Sequence, residues 1–153
     1  ICIMIIYRLV RSEFKEDLSG YGALLYGGRW NSHGQYALYC AQHISLAVLE
    51  IVVNYDRTAT PLLPSYHLVE IQIPDSEVIE IDKLALKKSW STDPEYTRYI
   101  GDEFLKLKSD LILKIPSVVI PEESNYLLNP THSDFKKIKI ASTRPYGLDS
   151  RLF

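Results

Sequence analysis

The stretch Ile44-Ser45-Leu46-Ala47-Val48-Leu49-Glu50-Ile51-Val52-Val53 carries a single acid inside a sequence that is otherwise almost wholly apolar. Its spacing predicts a helix over residues 44–55 that is apolar around most of its circumference and therefore buried on most sides. Glu50 and Asn54 share a narrow polar strip on this helix. A carboxylate in such a place is paired, exposed along a slot or functional, and a solvent-facing glutamate on a surface strip fits the pattern equally well.

Outward from this helix, strand patterns outnumber helical ones. Strands rich in β-branched and aromatic residues are predicted over residues 4–10, 36–41, 65–74, 78–81, 111–115, 117–120 and 135–142. A second helix is predicted from Pro94 to about residue 108, with Asp93 as its N-cap. Residues 11–31, 125–135 and 144–153 are predicted to be long connections or irregular segments. Because strands and helices do not alternate strictly, we predict an α+β domain rather than a doubly wound parallel sheet.

The composition is that of one globular domain over residues 1–153, with 46% hydrophobic and 24% charged residues. A net charge of −2 gives no reason to expect nucleic-acid or membrane-surface binding. The apolar run at residues 1–6 is too short to span a bilayer and lacks the features of a signal peptide. Two cysteines form no disulfide framework, so a cytoplasmic location is expected. The only methionine is Met4, which leaves open that residues 1–3 lie upstream of the natural start.

The second informative stretch is Gly27-Gly28-Arg29-Trp30-Asn31, which puts flexible backbone beside a fixed positive charge. Glycine lets backbone N–H groups approach a ligand closely, and the Arg29 guanidinium can fork onto a phosphate. A tight turn with a surface arginine would give the same string, which is neither a Walker motif nor a dinucleotide fingerprint. Taken with Glu50, it suggests a site that holds an anionic ligand and stabilises a developing positive charge.

Other candidate residues carry weaker signals. Tyr39 could offer its ring to a flat heterocycle and its hydroxyl to a sugar or phosphate, although one of 11 tyrosines is a core residue by default. Ser117 opens a polar cluster that runs to Asn125 and Asn129 and that suits hydrogen bonding to hydroxyls and amides, or simply turns. The four histidines have no metal-ligand spacing, so no metal site is predicted. A thiol mechanism that pairs Cys40 with a histidine stays open.

In this order, these strings resemble the RES domain family of bacterial toxins, which is named for its Arg, Glu and Ser. The resemblance rests on Tyr7-Arg8-Leu9, on the GGRWN string with Gly34, on residues 37–39 leading into residues 46–50, and on the stretch from Pro116 to His132. It covers nearly the whole chain.

The resemblance implies an α+β fold like that of ADP-ribosyltransferases of the diphtheria-toxin type. It implies a toxin of a type II toxin–antitoxin system that degrades NAD⁺ by cleaving the nicotinamide–ribose bond, as a glycohydrolase or a phosphorylase. NAD⁺ is then the substrate, and no cofactor is expected. The implied partners are an Xre-like helix-turn-helix antitoxin that occludes the active site and a second copy of the chain in a homodimer. The implied site consists of Arg29, Tyr39, Glu50 and Ser117, with Arg8 and Asn129 as additional contacts.

Three other functions compete with this interpretation. An ADP-ribosyltransferase would move the same group onto a cellular protein instead of a small acceptor. A non-catalytic module would bind NAD⁺ or ADP-ribose without releasing nicotinamide. A ribonuclease-type toxin is opposed by the near-neutral net charge and by the lack of a paired histidine constellation.

Overall fold

A single mixed sheet organises the molecule. A computed structural model describes residues 2–56, 58 and 62–153. Ile1, one of the three residues that could lie upstream of the natural start, is outside the described residues. Within the described residues the strands are β1 Ile3–Arg11, β2 Leu38–Ala41, β3 Tyr66–Pro74, β4 Val78–Glu80, β5 Ile112–Pro116, β6 Ser124–Leu128 and β7 Lys139–Tyr146. They form a seven-stranded sheet in the order β4-β5-β6-β2-β1-β3-β7. The β4–β5 pair is parallel and the other pairs are antiparallel, so the predicted α+β class is confirmed.

The helices are α1 Tyr21–Tyr26, α2 Ile44–Asn54 and α3 Pro94–Leu107. Short 3-10 turns occur at Ser12–Phe14, Asp75–Glu77, Lys83–Ala85, Trp90–Thr92, Phe135–Lys137 and Ser150–Leu152. Asp93 caps α3 as predicted, because its Oδ1 accepts a hydrogen bond from the backbone N–H of Tyr96 at 3.2 Å. No helix in the described part of the chain combines the length and the apolar character needed to cross a bilayer.

The core divides according to the alternation of side chains along the strands. Ile6 and Val10 of β1 join the largest buried cluster on one face of the sheet, whereas Leu9 lies in a second cluster. That second cluster packs against α2 through Leu46 and Ala47. A third cluster lies beneath α3 and includes Trp30, Ala37, Leu105, Leu113, Ile115 and Leu127. Tyr39 of β2 packs against the third cluster and Ala41 belongs to the second, so the clusters beneath α2 and α3 lie on the same side of the sheet.

Two predictions around the β5–β6 connection are wrong. Residues 117–120 form a turn instead of a strand, because the Ser117 hydroxyl accepts the backbone N–H groups of Val119 and Ile120 and turns the chain. Residues 124–128 form strand β6 instead of a polar loop. The polar residues at the start of β6 made this strand look like a loop. Asn125 does not face solvent here, because its side chain donates a hydrogen bond to the Glu50 carboxylate inside the site.

Two further segments also differ from prediction. The connection over residues 11–31 contains α1, which lies between Gly20 and Gly27, two glycines with φ values of 75° and 71°. Closely spaced glycines concealed this short helix in the sequence. The last strand begins at Lys139 and continues to Tyr146, three residues into the segment predicted to be irregular. Pro145 is tolerated there because β7 is an edge strand.

Candidate active site

An open cleft of about 1190 Å³ is lined by residues of β1, β2 and α2. Small-molecule sites usually measure roughly 300–1,000 Å³, so the cleft has room for an extended ligand. It brings together four of the residues predicted from sequence, which are Arg8, Arg29, Tyr39 and Glu50. These residues come from β1, the GGRWN loop (residues 27–31), β2 and α2, so the cleft depends on the complete fold.

Glu50 lies on the polar strip of α2 and lines this cleft. Its Oε1 accepts two hydrogen bonds, one from the Ser117 hydroxyl and one from the Asn125 amide nitrogen, each at 3.0 Å. No residue in the described part of the chain donates to Oε2. One oxygen of the carboxylate is therefore held by the protein, while the other keeps its capacity to accept a hydrogen bond or to face a positive charge.

Ser117 is fully buried directly after β5, at 0% exposure, and is not part of the cleft lining. Its hydroxyl donates to Glu50 and accepts the N–H groups of Val119 and Ile120 at 3.1 Å each. The hydroxyl hydrogen is thus committed to the carboxylate. The structure places Ser117 behind Glu50, as a support for it, whereas the sequence had suggested a direct ligand contact.

Tyr39 of β2 holds the GGRWN loop through its hydroxyl group. The Tyr39 hydroxyl donates to Oδ1 of Asn31 at 2.7 Å and accepts the backbone N–H of Trp30 at 3.1 Å. A Cβ atom on Gly28 would lie 2.8 Å from both the Tyr39 hydroxyl oxygen and Asn31 Oδ1. A side chain at position 28 would therefore collide with this hydrogen bond, which explains the glycine. The sequence had suggested a different reason, namely that the Gly28 backbone approaches a ligand closely.

Helix α3 holds the same loop from the other side. The Thr97 hydroxyl, which is fully buried, donates to the carbonyl oxygen of Arg29 at 2.6 Å. Asp102 Oδ1 accepts the backbone N–H of Ser32 at 2.8 Å. Between these two contacts the Trp30 backbone crosses Gly101 so closely that no Cβ could fit there. The backbone on which Arg29 is mounted is thereby fixed on both sides of the arginine.

The cleft is rich in arginine although the chain has a net charge of −2. Arg29 donates to the carbonyl oxygen of Ser91 at 3.1 Å, and Arg8 donates to that of Asp17 at 3.0 Å. Neither guanidinium forms an ion pair with a carboxylate in the described ranges. Burial lowers the pKa of Arg8, against the opposing effects of Cys40 and Asp17. With Arg98 also in the lining, the cleft offers an anionic ligand several guanidinium groups that form no ion pair among the described residues.

Two potentially reactive groups are held in their protonated forms. Burial raises the pKa of Tyr39 above its usual range, so its hydroxyl remains a hydrogen-bond donor at physiological pH. Burial also raises the pKa of Cys40 to about 12, against a smaller opposing effect of Arg8. Because a thiolate is the nucleophilic form of cysteine, this environment opposes the thiol mechanism that the sequence left open.

Asn129, predicted as an additional contact, lies outside the cleft lining and is 1% exposed. Its Nδ2 donates to the carbonyl oxygen of Leu105 at 2.9 Å, and its Oδ1 accepts from the backbone and side chain of Thr131. These bonds tie the end of β6 to α3. In the described part of the chain, no group of three or more His, Cys, Asp or Glu is arranged to hold a metal ion.

Three residues that line or support the cleft were not predicted as site residues from the sequence. Asn125 was recognised only as part of a polar cluster, because nothing in the sequence pairs it with Glu50. Asn31 is fully buried, and its Nδ2 donates to the carbonyl oxygens of Ala23, Ser32 and Gln35. Arg98 reaches the cleft from α3.

A supported carboxylate in a cleft lined by arginines defines an enzyme-like site for an anionic ligand.

Residues 5–149 match the family model of the RES domain. The chain is 39% identical over 153 residues to Toxin Res of Photorhabdus laumondii subsp. laumondii, covering 97% of each protein. It is 38% identical over 148 residues to a Prs ADP-ribosylating toxin of Sphingobium sp., covering 93% of this chain and 90% of that protein.

A solved structure resembles the whole fold. One chain of the crystal structure of the M. tuberculosis MbcT–MbcA toxin–antitoxin complex matches with a TM-score of 0.77 and 18% identity, over 95% of this chain and 85% of that one. This match confirms the α+β fold expected from the sequence. From the family model and the full-length relatives, the chain belongs to the RES domain family of toxins.

Proposed function

We propose that this toxin consumes NAD⁺ by breaking the bond between nicotinamide and ribose in the cleft described above. The observation that carries the proposal is the Glu50 carboxylate, which is held through Oε1 by Ser117 and Asn125 and has Oε2 left for a ligand. Family membership and the ADP-ribosylating toxin among the relatives support the same assignment.

A single carboxylate is sufficient for this chemistry. In NAD⁺ the nicotinamide ring is cationic, and it takes the electron pair of the C1′–N bond and leaves as a neutral molecule. No general acid is needed, in contrast to the two-carboxylate mechanism of most glycosidases. The ribose passes through an oxocarbenium-like state, and a fixed negative charge beside it lowers the barrier. An electrostatic interaction of this kind can contribute several kcal/mol, about 10²–10³-fold in rate.

The arginines of the cleft fit the remainder of the substrate. Arg29 is mounted on a loop held by Tyr39 and α3, and it has donors beyond the one used by Ser91. A guanidinium forks onto phosphate oxygens, so Arg29 is assigned to the pyrophosphate. Arg8 supplies a second cation from β1. Tyr39 would offer the side of its ring to the nicotinamide or its ribose. Catalysis then consists of positioning together with the electric field of Glu50.

Transfer of ADP-ribose to a cellular protein is the second candidate. It is favoured specifically by the relative named Prs ADP-ribosylating toxin, which is 38% identical to this chain. Both reactions release nicotinamide, and they differ in whether water, phosphate or a protein side chain adds at C1′. The arrangement around Glu50 serves either acceptor equally well.

We further propose an antitoxin as the partner of this chain. The structural match lies in a toxin–antitoxin complex, which supports a partner of that class. An Xre-like helix-turn-helix protein that occludes the cleft and a homodimeric toxin stay predictions of the resemblance, and a cytoplasmic location stays a prediction from the cysteine content. Coexpression with an Xre-like helix-turn-helix protein, followed by copurification and mass measurement of the complex, tests the first two.

Purified protein incubated with NAD⁺, with and without inorganic phosphate, tests the reaction. Product mass analysis should show nicotinamide with ADP-ribose, or with ADP-ribose phosphorylated at the same anomeric carbon when phosphate is the acceptor. Adenine-labelled NAD⁺ distinguishes the second candidate, because transfer to protein moves the label into macromolecules. Binding of NAD⁺ in a calorimeter without release of nicotinamide would leave only a binding module.

A further inference from the structure

We propose that Asn125 is a positioning residue of this active site, which fixes the orientation of the Glu50 carboxylate and so presents Oε2 to the ribose. The inference rests on the proposed function for the reaction itself. Its structural part, the control of the Glu50 side chain by Asn125, stands on the contacts described below.

The topology brings Asn125 to Glu50 from a distant part of the chain. β6 runs between β2 and β5, and Asn125 is paired with Ala41 on one side and with Ile115 on the other. Ala41 ends β2, and α2 begins three residues later at Ile44. Asn125 alternates with the buried residues Ser124 and Tyr126, so its side chain projects from the same face as Leu127, which is the helical side of the sheet. It therefore lies beneath the polar strip of α2.

Ser117 and Asn125 flank the loop of the β5–β6 hairpin and donate to the same oxygen of Glu50. Ser117 follows β5, its backbone N–H donates to the carbonyl oxygen of Glu123, and β6 then returns to place Asn125 beside it. A single donor would fix the position of Oε1 and leave the carboxylate free to rotate about that contact. Two donors from different directions also fix its plane, which determines where Oε2 lies.

The electrostatic part of this role can be tested by exchanging one atom. An aspartate at position 125 has the shape of asparagine but places a second carboxylate about 3 Å from Glu50. Two carboxylates at that distance cannot both be charged easily and share a proton. The other charged groups that share the cleft with Glu50 are Arg8, Arg11, Arg29, Arg98, Asp17 and Asp56. Hydrogen bonds from Ser19 lower the pKa of Asp17, so this group titrates below the pH range of interest.

The experiment compares the parent with N125A and N125D by steady-state kinetics of nicotinamide release between pH 5 and 9. N125A should lower kcat about tenfold or more with KM changed less than about twofold, because the lost contact acts on the group that stabilises the transition state. N125D should lose activity at neutral pH, and the acid limb of its kcat profile should move up by about one pH unit or more.

Q42A is the matched control. The Gln42 side chain accepts the backbone N–H of Ser124 at 3.1 Å, so this change also removes one side-chain hydrogen bond at the start of β6. Gln42 does not line the cleft, and its side chain makes no hydrogen bond to Glu50 among the described residues. Its kcat and pH profile should match those of the parent. A purely structural role of Asn125 would instead make N125A resemble Q42A and leave the pH profile of N125D unmoved, and that result would overturn the proposal.

A crystal structure of N125A provides a measurement that does not depend on turnover. Glu50 should occupy a different rotamer, or more than one, while Ser117 keeps its turn. A Glu50 carboxylate in its parental position would overturn the proposal even if the parent proved to have no NAD⁺-cleaving activity. An inactive parent with a displaced Glu50 in N125A would contradict the proposed function alone and support the positioning role.

Discussion

The Tyr39 hydroxyl donates to Oδ1 of Asn31 across 2.7 Å and accepts the N–H of Trp30, so a residue of β2 holds the loop that carries Arg29. This hydroxyl completes the hydrogen bonding of the loop interior. Arg29 can serve as a rigid anion contact only because Tyr39 and α3 fix the backbone around it.

Y39F removes this hydroxyl and keeps the ring. The N–H of Trp30 and the side-chain oxygen of Asn31 each lose a partner, which should lower the free energy of unfolding by about 1–3 kcal/mol. KM for NAD⁺ should rise as the loop loosens. Urea denaturation and steady-state kinetics measure the two effects.

Y126F is the matched control for that change. The Tyr126 hydroxyl is buried, and among the described residues it has no hydrogen-bond partner. Its removal should leave the free energy of unfolding unchanged or slightly increased, since no hydrogen bond is lost. Equal destabilisation by Y39F and Y126F would contradict the role given to Tyr39.

G101A tests the contact between α3 and the GGRWN loop. A Cβ at this position would lie 1.6 Å from the carbonyl oxygen of Trp30 and 2.6 Å from its carbonyl carbon, both backbone atoms that cannot move aside cheaply. The gain in helix propensity of about 1 kcal/mol is smaller than the expected cost of overpacking, about 3 kcal/mol or more. Thermal or urea unfolding should therefore show a clearly less stable protein.

G147A is the control for G101A, because a Cβ on Gly147 meets no other atom within 4 Å. Its free energy of unfolding should stay within about 0.5 kcal/mol of the parent. A G101A variant as stable as G147A would mean that the loop does not sit on α3 as described.

R29A should weaken substrate binding more than it slows the chemistry. Loss of the guanidinium should raise KM for NAD⁺ about tenfold or more, with a smaller change in kcat, because the pyrophosphate contact is made equally in the ground and transition states. R29K keeps the positive charge but cannot form two parallel hydrogen bonds to phosphate, so its KM should lie between those of the parent and R29A. R151A, which removes an exposed arginine paired with Asp149, should leave KM unchanged. A loss confined to kcat in R29A would argue against pyrophosphate binding.

Much of the fold could be read from the sequence because its elements have strong local signals. The α2 helix was predictable from an apolar run with one acid, and α3 from Asp93 and Pro94 at its start. Strand β6 could not be predicted, because its polar residues satisfy groups that are distant in sequence, such as Glu50. The short helix α1 was hidden by glycines that serve the turns around it.

The candidate site shows the same division. Arg29 and Glu50 stood out from their sequence surroundings, Tyr39 was indicated by the resemblance to the RES family, and the structure brings all three to one cleft. The contacts that support them are long-range pairs, such as Thr97 with Arg29 and Ser117 with Glu50. No local pattern encodes such pairs, so the supporting residues became visible only in three dimensions.

The central claim is that the negative charge of Glu50 drives cleavage of NAD⁺, and nicotinamide release by E50Q tests it most directly. The amide is close in shape to the carboxylate, and its oxygen can still accept from Ser117 and Asn125, so folding and NAD⁺ binding should persist. E70Q is the control, since Glu70 also accepts from a serine hydroxyl, that of Ser142 at 2.9 Å, but this pair is solvent-exposed and Glu70 does not line the cleft. E50Q should lose about 10²-fold or more in kcat while E70Q keeps the parental rate. Nicotinamide release by E50Q at the parental rate would contradict the claim.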